Sequence, residues 1–312
     1  RSYMDNGYIP LEDMVEEAFH TNEQTSRTLE YAFDDYAVAQ MAKALHDSCQ
    51  DATLRQKYLE DYNDLMRRSE NWRNVINPAT GWADGRYENG KWENNGDLVH
   101  RKSYITEGAT CHYTWYVPQN PEGLFEVIRN SKPMDKREKQ MEKTERKMEK
   151  KGETPVRNEK VIARLDKMFD NGWYWHGNEP CHQVAYLYDA AGAPEKTQER
   201  VHHILQTEYN DTPGGLSGND DAGQMSAWYV FSSIGFYPVC PGTPYYYIGT
   251  PSFDKVTLNL ENGRKFILSA DGVSKDAFYI QKMSLNDKPF WGYKLSHKDI
   301  LNGGKLKFQM KK

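Results

Sequence analysis

Asp220 and Asp221 stand side by side inside Gly214–Phe236, where a glycine-rich turn gives way to an apolar run. Met225, Trp228, Phe231 and Ser232 recur there at three- and four-residue spacing, which predicts a helix over Ala222–Ile234 with those side chains on one face. At such an entry the backbone N–H groups are free and the dipole favours negative charge, so one acid, or Asn219, is explained as a cap. A second carboxylate beside it adds repulsion and points to chemistry. Two other acidic loops, Thr106-Glu107-Gly108 and Gly177-Asn178-Glu179-Pro180, also precede or begin helical sequence. Carboxylates on either side of a scissile bond are what glycoside hydrolysis requires, one to protonate the leaving oxygen and one to deprotonate water. Spare oxygen donors nearby suit a hard cation such as Ca2+. Acids at helix starts are common caps, so spacing alone does not decide between the two readings.

The elements that must position these loops are mostly helical. Ser26–Asp47 reads as a long helix with Leu29, Phe33, Ala37, Met41 and Leu45 along one stripe, and a second helical stretch runs from Ala52 to about Asn74. Asn77–Trp82 is a turn leading into an aromatic, glycine-rich loop through Asp97; Tyr104–Val117 returns to ordered sequence, and Pro121–Asn130 is a short helix. Lys132–Lys160 differs in kind. Its Lys, Arg and Glu content, with pairs such as Asp135–Lys139 and Glu142–Arg146, predicts a solvated surface insertion without a catalytic role. Helical patterns resume at Val161–Phe169, Pro180–Ala191 and Pro194–Tyr209. Helix pairs joined by loops carrying Trp, Glu and Asp suggest a helical barrel whose rim builds a site. From Tyr245 the period becomes two, through Val256/Leu258/Leu260, Phe266/Leu268, Phe278/Ile280 and Leu306/Phe308/Met310, which predicts an antiparallel β tail forming part of a sandwich. The chain is therefore mainly α with a β tail.

Composition narrows the class. The 312 residues carry a net charge of −5, which removes any basic footprint for nucleic acid, and no apolar run reaches the roughly 18 residues of a membrane span. Eight Trp and twenty-one Tyr supply flat rings suited to sugars as well as to cores. Trp82, Trp115 and Trp173 line subsites on one reading and the core on the other; Asp34 and Asp35 reach substrate or satisfy polar groups inside the helices. Cys49, Cys111, Cys181 and Cys240 lie far apart without a CxxC pair, which fits neither a zinc site nor a disulfide framework. The chain opens at Arg1 with helix-like sequence and is expected to be part of a longer polypeptide, so a missing signal peptide decides nothing.

Ordered blocks along the chain carry a resemblance: Ser26–Tyr36, Glu107-Gly108 with Tyr113-Thr-Trp115, His176-Gly-Asn-Glu-Pro180 with Ala185–Tyr188, Lys196-Thr-Gln198, Gly218–Tyr229, Gly235–Val239, Phe253–Val256 and Asp299–Gly304. In these the chain resembles family 92 of the glycoside hydrolases, the calcium-dependent exo-acting α-mannosidases, almost throughout except Lys132–Asn158. The resemblance implies an (α/α)6 catalytic barrel, here residues 1–240 as its C-terminal part, followed by a β-rich domain over 241–312. It also implies an N-terminal β-sandwich of the same polypeptide that helps close the site, so the chain alone is expected to be inactive. Inversion at the anomeric carbon of terminal α-mannosides, including those of N-glycans, would use Glu107 as general acid and Asp221, assisted or replaced by Asp220, as general base. Ca2+ would grip mannose O2 and O3, with Asn178, Glu179 and His182 holding or flanking it. Trp82, Trp115 and Asp35 would face the glycan. The parent is expected to be secreted, periplasmic or on the cell surface. Where the family usually runs Asn-Ala-Trp-Gln-Tyr after the acid, this chain has Ala109-Thr-Cys-His-Tyr113, and the usual second His after Pro180 is Gln183. Those changes keep open a non-catalytic carbohydrate-binding or scaffold relative, and a mannosyl-phosphate hydrolase, whose leaving group needs little protonation.

Overall fold

A computed structural model of the chain describes residues 1–14, 22–93, 96–151 and 157–312. Asn94 and Asn95 of the aromatic loop and residues 152–156 of the charged segment lie outside the described residues. Contacts divide the chain into two compact units, Arg1–Tyr174 with Pro241–Thr243 and Trp175–Cys240 with Pro244–Lys312.

In the first unit the helix Gln24–Ser48 packs against Ala52–Arg68, and the joint is capped by Asp51, whose carboxylate accepts from the N–H groups of Thr53 and Leu54. The expected apolar stripe on the first helix holds at Leu29, which is fully buried, and is corrected towards its C-terminal end. Met41 is 63% and Leu45 41% exposed, whereas the buried face runs through Thr28, Leu29, Ala32, Asp35, Ala39 and Ala42. Beyond Leu29 the buried apolar positions are alanines, which let a neighbouring backbone approach closely. A 3-10 turn, Ser69–Asn74, ends the pair of helices, and the Asn77 turn closes a small hairpin of Ile76–Asn77 with Trp82–Ala83.

The charged segment is also corrected. Its helix, Lys136–Lys150, carries the expected Glu142–Arg146 pair at 2.8 Å, yet Glu138 is fully buried against Arg164 at 3.3 Å. Arg164 further donates to the Thr80 carbonyl and the Ser131 hydroxyl. Lys167 bridges Asp135 and Glu138, so Asp135 is committed to it rather than to Lys139. Burial lowers the Arg164 pKa and the Glu138 carboxylate opposes that shift. The segment is thus moored to the helix Glu159–Asp170 by an ion pair with no water access.

In the second unit, the expected helix over Pro180–Ala191 is broken into 3-10 turns at Glu179–Cys181 and Val184–Tyr186 and a short α-helix at Leu187–Ala190. Regular helices follow at Pro194–Thr207 and Gln224–Ile234. The β tail is mixed rather than antiparallel. Its five-stranded sheet runs in the order Lys255–Asn259, Lys265–Asp271, Gly304–Lys311, Tyr279–Leu285, Lys288–Pro289, and Gly304–Lys311 lies parallel to Lys265–Asp271. That register puts Phe266, Leu268 and Ala270 on one face with Leu306, Phe308 and Met310. A three-stranded sheet of Phe236–Tyr237, Tyr245–Ile248 and Lys294–Ser296 adds Phe236, Ile248 and Leu295 to the same core. All four cysteines are free thiols.

Glu138→Ala leaves the Arg164 guanidinium buried without its carboxylate and should lower unfolding stability by about 3–5 kcal/mol in urea titrations. A loss within about 0.5 kcal/mol would show that the carbonyl and hydroxyl partners of Arg164 suffice.

Candidate functional site

Each unit contributes acidic loops, and each holds them differently. In the first, the loop bearing Glu107 is laced to the start of the helix Gln24–Ser48. Glu23 and Thr25 donate their N–H groups to the carbonyls of Ser103 and Tyr104 at 2.9 and 3.0 Å, and the Ser26 hydroxyl accepts from the Thr106 N–H at 3.0 Å. Glu107 itself is exposed and sits at φ 46°, a left-handed conformation that a side chain disfavours. The changed residues after it find local partners. His112 accepts from the Ala109 N–H at 3.2 Å and donates to the Trp173 carbonyl at 2.8 Å, and the Tyr113 hydroxyl donates to Glu30 at 3.0 Å. Burial pushes the Cys111 thiol up to about 12, which leaves it inert as a nucleophile.

In the second unit the two chemistry-bearing loops touch backbone to backbone. A Cβ at Gly218 would lie 2.3 Å from the Gly177 carbonyl oxygen, so only glycine allows the approach. Around that contact the helix Gln224–Ile234 clamps the loop of residues 176–182. Its Trp228 indole donates to the His182 carbonyl at 2.9 Å, and the Gln224 amide donates to His182 Nδ1 at 3.3 Å and to the Tyr237 hydroxyl at 3.0 Å. His182 Nε2–H donates to the His176 carbonyl at 3.0 Å. The Tyr209 hydroxyl donates to the Met225 carbonyl and accepts from His176 Nε2–H at 2.6 Å. The helix starts two residues later than predicted because Asp221, Ala222 and Gly223 all adopt positive φ, 42°, 56° and 89°. The N-cap residue is Gly223, and the Asp220 carboxylate, three residues before it, accepts from the Ser226 N–H at 2.9 Å. Asp221 remains exposed at the tip of the left-handed turn.

The structure places the three expected substrate residues as follows. Asp35 accepts from Arg68 at 2.6 Å and from the Tyr3 hydroxyl at 2.7 Å, so its carboxylate satisfies internal polar groups. Trp82 and Trp115 are buried and meet edge to face, with centroids 6.2 Å apart, and the Arg164 guanidinium lies over Trp82. Trp82 also lines a cavity of about 340 Å³ with Thr80, Asp84, Asp97 and Thr110. Trp175, which spacing alone could not single out, is 44% exposed two residues before Gly177. For a hard cation the suitable donors are the side-chain carbonyl of Asn178 and the carboxylate of Glu179, adjacent oxygen ligands on the clamped loop. His182 has both ring nitrogens engaged by protein groups, which leaves it flanking such a site. Among the described residues no three His, Cys, Asp or Glu side chains gather as a metal cluster.

The buried histidines make this region sensitive to acid. Burial, reinforced by the neighbouring His182, pulls His176 down to about 2; burial also pulls His182 to about 4, against the Asp221 charge, from an ordinary value of 6.5. Above pH 6.5 both rings are neutral in folded and unfolded chains alike. Below it the unfolded chain takes up protons first, so stability falls as the pH drops from about 6.5 to 4, by about 3 kcal/mol for His182 alone. Urea midpoints should therefore decline across that window, and His182→Gln should flatten the decline; an unchanged profile in the variant would assign the acid sensitivity elsewhere.

The described helices include none long and apolar enough to cross a membrane. The model of the glycosyl hydrolase family 92 catalytic domain matches residues 1–312. A protein of Arthroderma benhamiae, described as an uncharacterized secreted glycosidase, is 27% identical over 338 residues, taking in 100% of this chain and 39% of that one. A family GH92 alpha-mannosidase of Bacteroides thetaiotaomicron superposes with a TM-score of 0.80 at 35% identity, covering 99% of this chain and 36% of that one. The same alpha-mannosidase in complex with mannoimidazole gives 0.79 at 33% identity, over 99% of this chain and 38% of that one. An inverting mannosidase of the family from that organism gives 0.78 at 32%, over 99% and 39%. The chain spans about two fifths of the length of these relatives. With the family match running from its first residue to its last, the chain belongs to glycosyl hydrolase family 92.

Proposed function

We propose that the polypeptide carrying this chain is an exo-acting α-mannosidase that releases terminal mannose from α-mannoside glycans with inversion, assisted by Ca2+. The observation that carries the reading is the backbone strain at the two acids. Glu107 and Asp221 are both exposed, and both are held at positive φ on anchored loops, in a chain that matches the family throughout. Non-glycine residues in that region cost about 1–3 kcal/mol each and persist where the surroundings impose them, commonly at active sites. Similarity to mannosidases, one of them bound to mannoimidazole, supports mannose as the sugar.

In the proposed step Asp221 takes a proton from water, and the water oxygen bonds to the anomeric carbon from the face opposite the leaving group. The bond to the glycosidic oxygen breaks as Glu107 delivers its proton there, so no covalent enzyme intermediate forms. Asp220, fixed by the Ser226 N–H, holds the turn that aims Asp221. Asn178 and Glu179 would hold Ca2+, with His182 in support, and the ion would supply Lewis-acid polarisation of two neighbouring hydroxyls. The same reading makes the helical part a segment of an (α/α)6 barrel, with the β-rich tail as part of a sandwich. It also places an N-terminal β-sandwich elsewhere in the polypeptide, without which these residues alone turn over little substrate. Secretion, as described for the fungal relative, suits a glycan-trimming role.

In the full polypeptide, Glu107→Gln should reduce kcat on poor leaving groups about 10²–10⁴-fold while mannose still binds. EDTA should abolish turnover and added Ca2+ should restore it. Mannoside binding without turnover, unchanged by Glu107→Gln, would favour the carbohydrate-binding or scaffold reading; turnover of a mannosyl phosphate indifferent to Glu107→Gln would favour mannosyl-phosphate hydrolysis; turnover that survives chelation would remove the metal.

A further inference from the structure

The loop of residues 175–179 carries an aromatic plane that the reaction step does not use. Trp175 is 44% exposed, unlike the buried Trp82, Trp115 and Trp228. Its indole nevertheless packs against the chain. A Cβ at Gly177 would lie 2.6 Å from Trp175 Nε1 and 2.9 Å from its Cε2, so the ring lies against the glycine backbone immediately before Asn178. The same Cβ would lie 2.7 Å from the Ser217 carbonyl oxygen, two residues before Asn219. One glycine thus brings together an exposed ring, the oxygen donors Asn178 and Glu179, and the strand of chain leading to Asp220 and Asp221.

We propose that Trp175 is the stacking platform for the leaving-group sugar, a neutral hexopyranose ring whose apolar C–H face lies on the indole. The inference rests on the mannoside reading above and extends it to the second ring of the substrate. The cleaved ring is gripped through its hydroxyls by oxygen ligands, whereas the ring beyond it needs only a flat apolar surface at the edge of the loop. An indole resting against the Gly177 backbone offers that surface. Stacking of this kind tolerates different hydroxyl patterns, so Trp175 would favour a sugar at the leaving position without dictating which one.

The test compares two substrates in the full polypeptide, an α-mannobiose with a second ring and α-mannosyl fluoride without one. Trp175→Ala should lower kcat/KM on the mannobiose about tenfold, chiefly through KM, and change it less than twofold on the fluoride. Trp175→Tyr should recover most of the loss. Equal losses on both substrates, or none on either, would overturn the assignment. Should the wild type hydrolyse neither, the mannosidase reading fails and binding decides the platform separately. Calorimetry should then show mannobiose binding more tightly than methyl α-mannoside to the wild type and equally to Trp175→Ala; equal affinities in the wild type would overturn it.

Discussion

The contact between Gly177 and Gly218 is the constraint on which the acidic loops of the second unit depend. A methyl group at Gly218 would collide with backbone rather than with a movable side chain, so the two loops can approach only as glycine. Everything that follows in sequence inherits that approach: Asn178 and Glu179 from one loop, Asn219, Asp220 and Asp221 from the other. His182 then secures the arrangement. Its ring ties back to the His176 carbonyl, and its own carbonyl and Nδ1 receive Trp228 and Gln224 from the helix whose Ser226 N–H donates to Asp220. Neutral rings are required for this pattern, and burial keeps them neutral.

Backbone strain is the second organising element. Among the described residues six non-glycine positions have positive φ, and Asn286 and Asp287 belong to a tight hairpin turn where that conformation is ordinary. Glu23 immediately precedes the helix that anchors the Glu107 loop. The rest are Glu107 and the consecutive pair Asp221 and Ala222. Strain falling on Glu107 and Asp221 is the observation on which the proposed chemistry rests. The Ser226 N–H of the helix entry is already satisfied by Asp220, so Asp221 is not needed for it.

Much of this was legible in the sequence, and the failures have physical causes. The long helix from Gln24 and the inward face of Gln224–Ile234 follow from helical periodicity. Periodicity placed Leu29 correctly but misjudged Met41 and Leu45, because alanines rather than large residues line the later part of the first helix's buried face. A period of two is the same for parallel and antiparallel pairing, so the parallel seam between Lys265–Asp271 and Gly304–Lys311 could not be read from it. Glu138 looked like one more solvated charge because its partner Arg164 lies 26 residues away. Tryptophans carry no local mark of exposure, so the burial of Trp82 and Trp115 and the exposure of Trp175 are not legible in the sequence. At the doublet the two carboxylates part ways: Asp220 accepts from the Ser226 N–H, and Asp221 is exposed at positive φ.

The central claim, that Glu107 and Asp221 act as acid and base around a single water attack, is tested most directly by the anomer first released. Proton NMR of the full polypeptide hydrolysing an α-mannoside should show β-mannose appearing before mutarotation brings in the α form. Initial release of α-mannose would require a nucleophile and a covalent intermediate, and would contradict the account.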